Sequence, residues 1–297
     1  MKKYSHTLLP LVLMLFLFSS CDEDDIGGIL NDSENASSKE TADALKEALQ
    51  VGTDTAVAVL SAQDGYYKDL AVKLLLPEEL QNSRESFRSQ SFSIFGFGTI
   101  TGADLYDNGS VHLNINSMAE REEALILGLN RAAEEAANTA APIFVDAISN
   151  MTINDANEIL FGTDTAATFY LKSNTSTQLF NNYEPEIEEA LNSVRIDGKS
   201  VVTLYEEYVN SYNSILNTSF MVDFMGNTST IGAELGMNSV ETTDISAYAT
   251  NRALDGLFLK VGEEEENIRK DPLARVTDLL ERYLADWMSN GLFRVIR

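Results

Sequence analysis

Cysteine, histidine and basic residues are scarce in this sequence of 297 residues. It holds 1 cysteine and 2 histidines, and 21 lysines and arginines stand against 46 aspartates and glutamates. A single cysteine excludes a disulfide within the chain, and two histidines exclude a histidine-rich zinc site. The formal net charge of −25 disfavours nucleic acid as a partner, because like charges repel, and it favours cationic partners instead.

Sequence fingerprints of catalysis and cofactor binding are also missing. Gly96-Phe97-Gly98 lacks the third glycine and the following helix that a dinucleotide site requires. His112 is the only histidine after the first 20 residues, and the alternating segment around it predicts an exposed strand position rather than a triad member. We assign no catalytic residue, no metal ligand and no cofactor. Paired carboxylates for hydrolysis remain an alternative, because so many acids are present.

Long apolar runs are absent except for a short one at the N-terminus, residues 8–18, which follows two lysines. A bilayer-spanning helix needs about 20 apolar residues, so this pattern predicts a signal peptide over residues 1–20. Its end, Phe18-Ser19-Ser20-Cys21, resembles the lipobox of bacterial lipoproteins. The resemblance implies lipid attachment at Cys21 and cleavage before it. Cleavage removes two lysines and no acids, which leaves 21 − 2 = 19 bases against 46 acids, a net charge of −27.

Four acids, Asp22, Glu23, Asp24 and Asp25, follow the cysteine directly. They resemble the export signal that sends lipoproteins to the cell surface in Bacteroidota. In enteric bacteria, an aspartate after the cysteine indicates retention at the inner membrane, and a solvated spacer is a third interpretation. We expect a Bacteroidota-like lipoprotein, lipid-anchored in the outer membrane, whose domain faces either the cell surface or the periplasm. Residues 21–39 would form an acidic flexible tether, and the lipid would be the sole contact with the membrane.

Helical periodicity dominates the rest of the chain and predicts an all-α, multihelical, bundle-like single domain over residues 40–289. Ser37-Ser38-Lys39-Glu40 and Thr152-Ile153-Asn154-Asp155 have capping-box spacing. Glu184-Pro185 predicts one helix start, and Asp271-Pro272 predicts the start of the last helix.

Two stretches depart from the helical pattern. Residues 91–117 contain two alternating segments on either side of Asp107-Asn108-Gly109, which predicts a small β-hairpin insert with its turn at these three residues. Residues 217–240 are rich in glycine, asparagine, serine and threonine and predict a long loop.

A near-repeat places the same residue types at equal offsets in two predicted helices. Each copy has an asparagine, an arginine and, three residues after the arginine, an acid. These side chains can share one helix face. The cluster either binds a ligand carboxylate or phosphate, or forms a buried arginine–acid network that fixes how helices dock. The six residues are Asn130, Arg131, Glu134, Asn251, Arg252 and Asp255.

Two further groups have simple interpretations. Tyr205, Tyr208 and Tyr212 lie at helical spacing, which favours partly buried core positions with hydroxyls at the rim over an aromatic binding wall. The four glutamates of residues 263–266 are most simply a solvated helix segment.

Several stretches in chain order, together spanning about residues 41–284, resemble one family. They include Leu74-Leu75-Leu76-Pro77-Glu78-Glu79-Leu80, Asn130-Arg131-Ala132-Ala133-Glu134 and Ala249-Thr250-Asn251-Arg252-Ala253-Leu254-Asp255-Gly256-Leu257. This is similar to the bacterial envelope family catalogued as domain of unknown function 4197, which implies no established activity. Two departures stand out. Residues 91–117 are longer than the family's usual short link, and residues 217–240 look expanded.

These observations predict a lipid-anchored cell-envelope protein whose helical domain binds a ligand, or a cationic or envelope protein partner, without catalysis. One alternative is a cell-surface hydrolase with paired carboxylates. Another is a structural component of the envelope.

Overall fold

A computed structural model of the protein describes residues 23–270, with side chains described from residue 39. The predicted signal peptide, Cys21, Asp22 and the predicted last helix lie outside the described residues. The helices are α1 (Glu23–Ser61), α2 (Glu78–Arg88), α3 (Gly102–Asn108), α4 (Ala119–Ala136), α5 (Ala140–Ser149), α6 (Ile153–Leu160), α7 (Ala166–Ser193), α8 (Val201–Leu216), α9 (Ile231–Leu235) and α10 (Ile245–Lys270). The strands are β1 (Ser91–Ile94), β2 (Gly98–Thr101), β3 (Arg195–Ile196), β4 (Lys199–Ser200), β5 (Ser219–Met221) and β6 (Thr228–Thr230).

The mostly helical fold class is confirmed. Each strand pairs only with its neighbour in sequence, so the described chain holds three antiparallel two-stranded hairpins, β1–β2, β3–β4 and β5–β6. No helix within residues 23–270 has the length and apolarity needed to cross a membrane.

Some helix starts follow the cap chemistry of the sequence, whereas the predicted capping box of residues 37–40 lies inside α1. The Thr152 hydroxyl accepts a hydrogen bond from the Asp155 amide, and the Asp155 carboxylate accepts one from the Thr152 amide, so the predicted capping box opens α6. The Ser200 hydroxyl caps α8 in the same way through the Thr203 amide. Each cap satisfies a backbone donor that the helix leaves unpaired.

Two helices are longer than the sequence predicts. The predicted flexible tether is helical from Glu23 onward, as the N-terminal part of α1. No proline lies between Pro10 and Pro77 to interrupt that helix. Pro185 lies inside α7 rather than at a helix start. The helix continues through it because Tyr183 and Ile187, on either side, are fully buried.

Residues 91–117 contain a hairpin, but its strands and turn differ from those predicted. β1 pairs with β2 across Phe95-Gly96-Phe97, whereas Asp107-Asn108-Gly109 ends α3, with Gly109 at φ 68° as its cap. The second alternating segment forms a loop closed by one bridge between Ser110 and Ile115. A glycine after an acid or asparagine suits a helix end as well as a hairpin turn, which explains the error.

The long loop predicted at residues 217–240 is wrong, because it contains β5, β6 and α9. Phe220 is buried against Phe92, with 5.3 Å between ring centroids, so the second hairpin is fixed to the first. The Thr230 hydroxyl accepts from the Ala233 amide and caps α9. Polar composition concealed these short elements because their buried side chains are few.

One cluster of buried side chains extends from Ala42 to Val261. In it, α10 packs against α7 and α1, while α4 packs against α7 and α8. Tyr205, Tyr208 and Tyr212 are all buried in this core, which agrees with the core interpretation of these residues.

Candidate functional site

The first copy of the near-repeat holds the connection between α1 and α2, residues 62–77. Asn130 is fully buried. Its side-chain oxygen accepts from the Leu74 amide at 2.9 Å, and its nitrogen donates to the Leu74 carbonyl at 2.8 Å. The side chain thereby pairs both polar groups of a backbone position that is buried away from water.

Glu134 and Arg131 hold the beginning of the same connection. One Glu134 oxygen accepts from the amides of Tyr66 and Tyr67, each at 3.2 Å. Arg131 donates to the other Glu134 oxygen and to Asp64, each at 2.6 Å. The Arg131 guanidinium is thus shared between two carboxylates of the chain itself, and the network holds a connecting segment rather than docking one helix on another.

Asp64 gives this network a pH dependence that can be measured. Hydrogen bonds from Lys68, and then from Arg131, lower the pKa of Asp64 below its usual 3.8. A carboxyl whose pKa is lowered on folding stabilises the fold above the unfolded pKa, and loses this contribution as pH falls through the folded pKa. We expect Asp64→Asn to weaken the loss of stability below pH 3.8, measured as the urea midpoint against pH.

Asn suits this position because Asp64 has a φ of 72°, which asparagine tolerates better than most residues. Asp54→Asn is the control, since Asp54 is exposed on α1 and should leave the acid dependence as in the wild type. Equal acid dependence in the two variants would contradict a role for Asp64.

The second copy of the near-repeat lies on the surface of α10 and is not joined to the first. Asn251 donates only to Ala247, one turn earlier, and Arg252 and Asp255 form an exposed pair at 3.4 Å. Within residues 39–270 no hydrogen bond or ion pair connects the two copies. Nearby residues of α10 nevertheless contact the same connection, because Tyr66 donates to the Ala253 carbonyl at 2.8 Å.

A buried ion pair that sequence reasoning missed joins α6, α7 and α10. Glu265 accepts from the amides of Ala167 and Thr168, the first turn of α7, at 3.0 and 2.8 Å. Arg269 donates to Glu265 at 2.8 Å and to the Ile159 carbonyl in the last turn of α6 at 3.0 Å. The pair therefore satisfies groups that two helix ends leave unpaired. The interpretation of Glu265 as solvated is wrong, whereas its neighbour Glu266 is exposed.

A polar cleft of about 830 Å³ opens between α2, α3 and α4, a volume within the range of small-molecule sites. Its lining combines two tyrosines, three cations, four carboxylates and a few apolar side chains. These include Tyr67, Lys73, Arg84, Arg88, Tyr106, Asp107, Glu122 and Ile126.

One side of the cleft is a fixed hydrogen-bonded chain. Tyr106 donates to Glu122 at 2.6 Å and lies 2.7 Å from the Tyr208 hydroxyl. Because Tyr106 has one hydroxyl proton, Tyr208 must donate to Tyr106. Burial, followed by these neighbours, raises the pKa of Tyr106 well above its ordinary value. Arg84 binds the second oxygen of Glu122, so both oxygens of this carboxylate accept hydrogen bonds from the chain.

Arg88 is likewise paired, and Lys73 is not. Arg88 binds both oxygens of Asp107 and lies over the Tyr106 ring at 5.3 Å. Lys73 has its ammonium 4.1 Å from the centre of the Tyr67 ring, a cation–π contact. Among residues 39–270, no carboxylate forms an ion pair with Lys73. The arrangement can therefore accept an anionic group of a ligand at Lys73, beside an aromatic wall.

The model of the family described as "Protein of unknown function (DUF4197)" matches residues 35–95 and 106–284. The chain belongs to the DUF4197 family. No curated protein and no solved structure matches this DUF4197 protein.

The family match shows which residues of this DUF4197 protein lie outside the family model. It breaks at residues 96–105, which include the β1–β2 turn and β2, within the segment predicted to exceed the family's usual link. The match runs without a break through residues 217–240, where the sequence looked expanded.

Two site features of this DUF4197 protein were missed from sequence. Glu265 occupies a position of the apolar stripe that includes Phe258, Val261 and Ile268, all buried, and that periodicity could have separated it from its three acidic neighbours. The cleft had no such signal, because its lining comes from segments distant in sequence. Within residues 39–270, no group of three histidine, cysteine or acidic side chains is placed to hold a metal ion.

Proposed function

We propose that this protein is a lipid-anchored lipoprotein of the outer membrane whose helical domain binds a small ligand without catalysis. The ligand carries an anionic group, which Lys73 binds, and an apolar part that contacts Tyr67 and Ile126. The observation that carries the proposal is the cleft, in which Arg84 and Arg88 are already paired while Lys73 faces only an aromatic ring.

The same geometry argues against hydrolysis by two of the four carboxylates that line the cleft. Glu122 and Asp107 each accept hydrogen bonds on both oxygens, from Arg84 and Tyr106 and from Arg88 respectively. A carboxylate pair for glycoside cleavage needs one member free to donate a proton and one free to attack or activate water. Both members are occupied here in the absence of any substrate.

The anchor is supported by sequence. The two lysines, the apolar residues 8–18 and Cys21 follow each other in the order of a lipoprotein signal. Metabolic labelling with a fatty-acid probe tests it directly. We expect label on the wild type and none on Cys21→Ala, and an unlabelled wild type in the aqueous fraction would end this part of the proposal.

Native mass spectrometry of the protein released from its own membranes tests the cleft. We expect a bound small anion on the wild type, and at least about a tenfold lower occupancy on Lys73→Ala, because the ligand loses its cationic partner. Lys199→Ala is the control, since Lys199 lies on the β3–β4 hairpin and pairs with Glu207, outside the cleft. Equal occupancy in both variants, or no bound mass on the wild type, would refute the assignment.

A further inference from the structure

The tips of two adjacent hairpins expose apolar side chains. The hairpin tips are residues 95–97, between β1 and β2, and residues 221–225, which begin at the last residue of β5. Phe97, Phe224 and Met225 are 62%, 83% and 76% exposed. The two tips form one surface, because the Phe95 amide donates to the Met221 carbonyl at 3.2 Å. Exposed apolar side chains gathered in this way mark interaction sites rather than ordinary surface.

The second tip has an internal architecture that presents these side chains outward. The Asp223 carboxylate accepts from the amides of Met225 and Asn227 at 2.9 and 3.1 Å, and from the Asn227 side chain at 2.6 Å. Hydrogen bonds from Asn227 lower the pKa of Asp223, so the charge is retained and directed into the turn. Phe224 and Met225 are left as the parts of the tip that face solvent.

Helix directions place the hairpin tips opposite the start of α1. Ala48 of α1 packs with Ile268 at the end of α10. α7 runs antiparallel to α10, because Ala167 contacts Glu265 while Lys172 lies over Phe258. The start of α7 therefore lies at the end of the domain where α1 enters.

α4 and α8 extend this path away from α1. α4 runs antiparallel to α7, since Tyr183 donates to Ala137 while Gly128 faces Val201, beyond the end of α7. From Val201, α8 runs antiparallel to α4, and Tyr208 reaches Glu122 through Tyr106. The β5–β6 hairpin follows the end of α8, so the hairpin tips point away from the N-terminal lipid.

The charge around the tips selects the chemistry of the partner. Residues 91–117 and 217–240 contain four acids and neither lysine nor arginine. Two of them, Asp104 just after β2 and Glu234 just after β6, are exposed at the bases of the hairpins, whereas Asp107 is paired with Arg88 and Asp223 is directed into its own turn. Anionic headgroups would be repelled by these acids, and a second copy of the chain would bring the same charges together. Apolar tips with exposed acids at the bases of their hairpins complement an apolar pocket bordered by cations.

We propose that the hairpin tips are the docking surface for another envelope protein, which offers an apolar pocket bordered by lysines or arginines. This surface is separate from the ligand cleft. Only the direction in which it points rests on the proposed lipid anchor. The break in the family match at residues 96–105 makes this partner particular to chains that carry the first hairpin.

Site-specific photocrosslinking of the full lipidated chain in its native envelope tests the proposal. A photoreactive phenylalanine analogue replaces Phe97 or Phe224, and Gln178, exposed on α7, is the control position. We expect one protein to be crosslinked from both tips and not from position 178. The crosslinked site in that protein should be apolar, with lysine or arginine beside it.

Binding measurements with the purified partner then distinguish the contribution of the apolar side chains from that of the acids. Phe97→Ser with Phe224→Ser should weaken binding by about 100-fold, as for the loss of two central apolar anchors. Asp104→Asn with Glu234→Gln, both exposed acids at the bases of the hairpins, should slow association and flatten its salt dependence.

Adducts with lipid, adducts with a second copy of this chain, or no adduct at either tip would each overturn the proposal. So would a partner whose binding ignores the acidic variants. An unacylated Cys21 would instead remove the anchor and leave the crosslinking result standing, so the two failures are distinguishable.

Discussion

Replacing Glu265 with alanine is expected to lower the free energy of unfolding by about 3–5 kcal/mol, the usual cost of breaking a buried ion pair. The variant removes the Glu265 carboxylate from the buried Arg269 guanidinium and from the first amides of α7. Urea unfolding followed by circular dichroism measures the change.

The neighbouring residue supplies a matched control for this prediction. Glu266 has the same chemistry one position later, but it is exposed and pairs with Lys270 on the surface. Glu266→Ala should change the free energy of unfolding by no more than about 0.5 kcal/mol. Similar losses from the two alanines would show that Glu265 is not the residue that joins α6, α7 and α10.

Gly102→Ala is expected to destabilise the protein by about 3 kcal/mol or more, through overpacking against backbone that cannot move aside. A methyl group at this position would lie 1.8 Å from the Phe87 carbonyl oxygen. Gly102 is the first residue of α3, and its amide donates to Gln90 at 2.8 Å. The substitution must therefore separate α3 from the end of α2, which also opens one wall of the ligand cleft.

Replacing a second glycine, Gly262, is expected to raise the stability of the protein rather than lower it. At Gly262, inside α10, the added methyl group would meet Thr168 only at ordinary contact distances of 3.6 and 3.8 Å. Alanine has the higher helix propensity, so Gly262→Ala should stabilise the protein by up to about 1 kcal/mol. Thermal unfolding of the two variants side by side decides the point, and destabilisation by both would contradict the difference in local space.

The sequence predicted this fold best where a local interaction decides the structure. The capping box of Thr152 and Asp155 needs only four consecutive residues, and it formed as predicted. The end of α3 shows the limit of local reasoning, because Gly109 serves a helix end with the same positive φ that a hairpin turn would need. The choice between them depends on Leu105 and Tyr106, which are buried by distant segments.

The two copies of the near-repeat show the same limit of local reasoning. Asn130, Arg131 and Glu134 were recognisable as a group, since their offsets place them on one helix face. Their equivalents on α10 have the same offsets and remain exposed. What distinguishes the two copies is the connection between α1 and α2, whose amides contact only the first copy. The five residues of each copy do not by themselves indicate whether this connection lies beside them.

The length of α1 fixes how far an acyl group would stand from the folded core. From Glu23 to Thr41 the helix advances about 27 Å, at about 1.5 Å per residue, before Ala42 enters the core. A lipid on Cys21 would thus be separated from the domain by a rigid helix of fixed length rather than by a flexible linker. Deleting two helical turns, seven residues, would lower the domain toward the lipid by about 10 Å with little rotation about the helix axis.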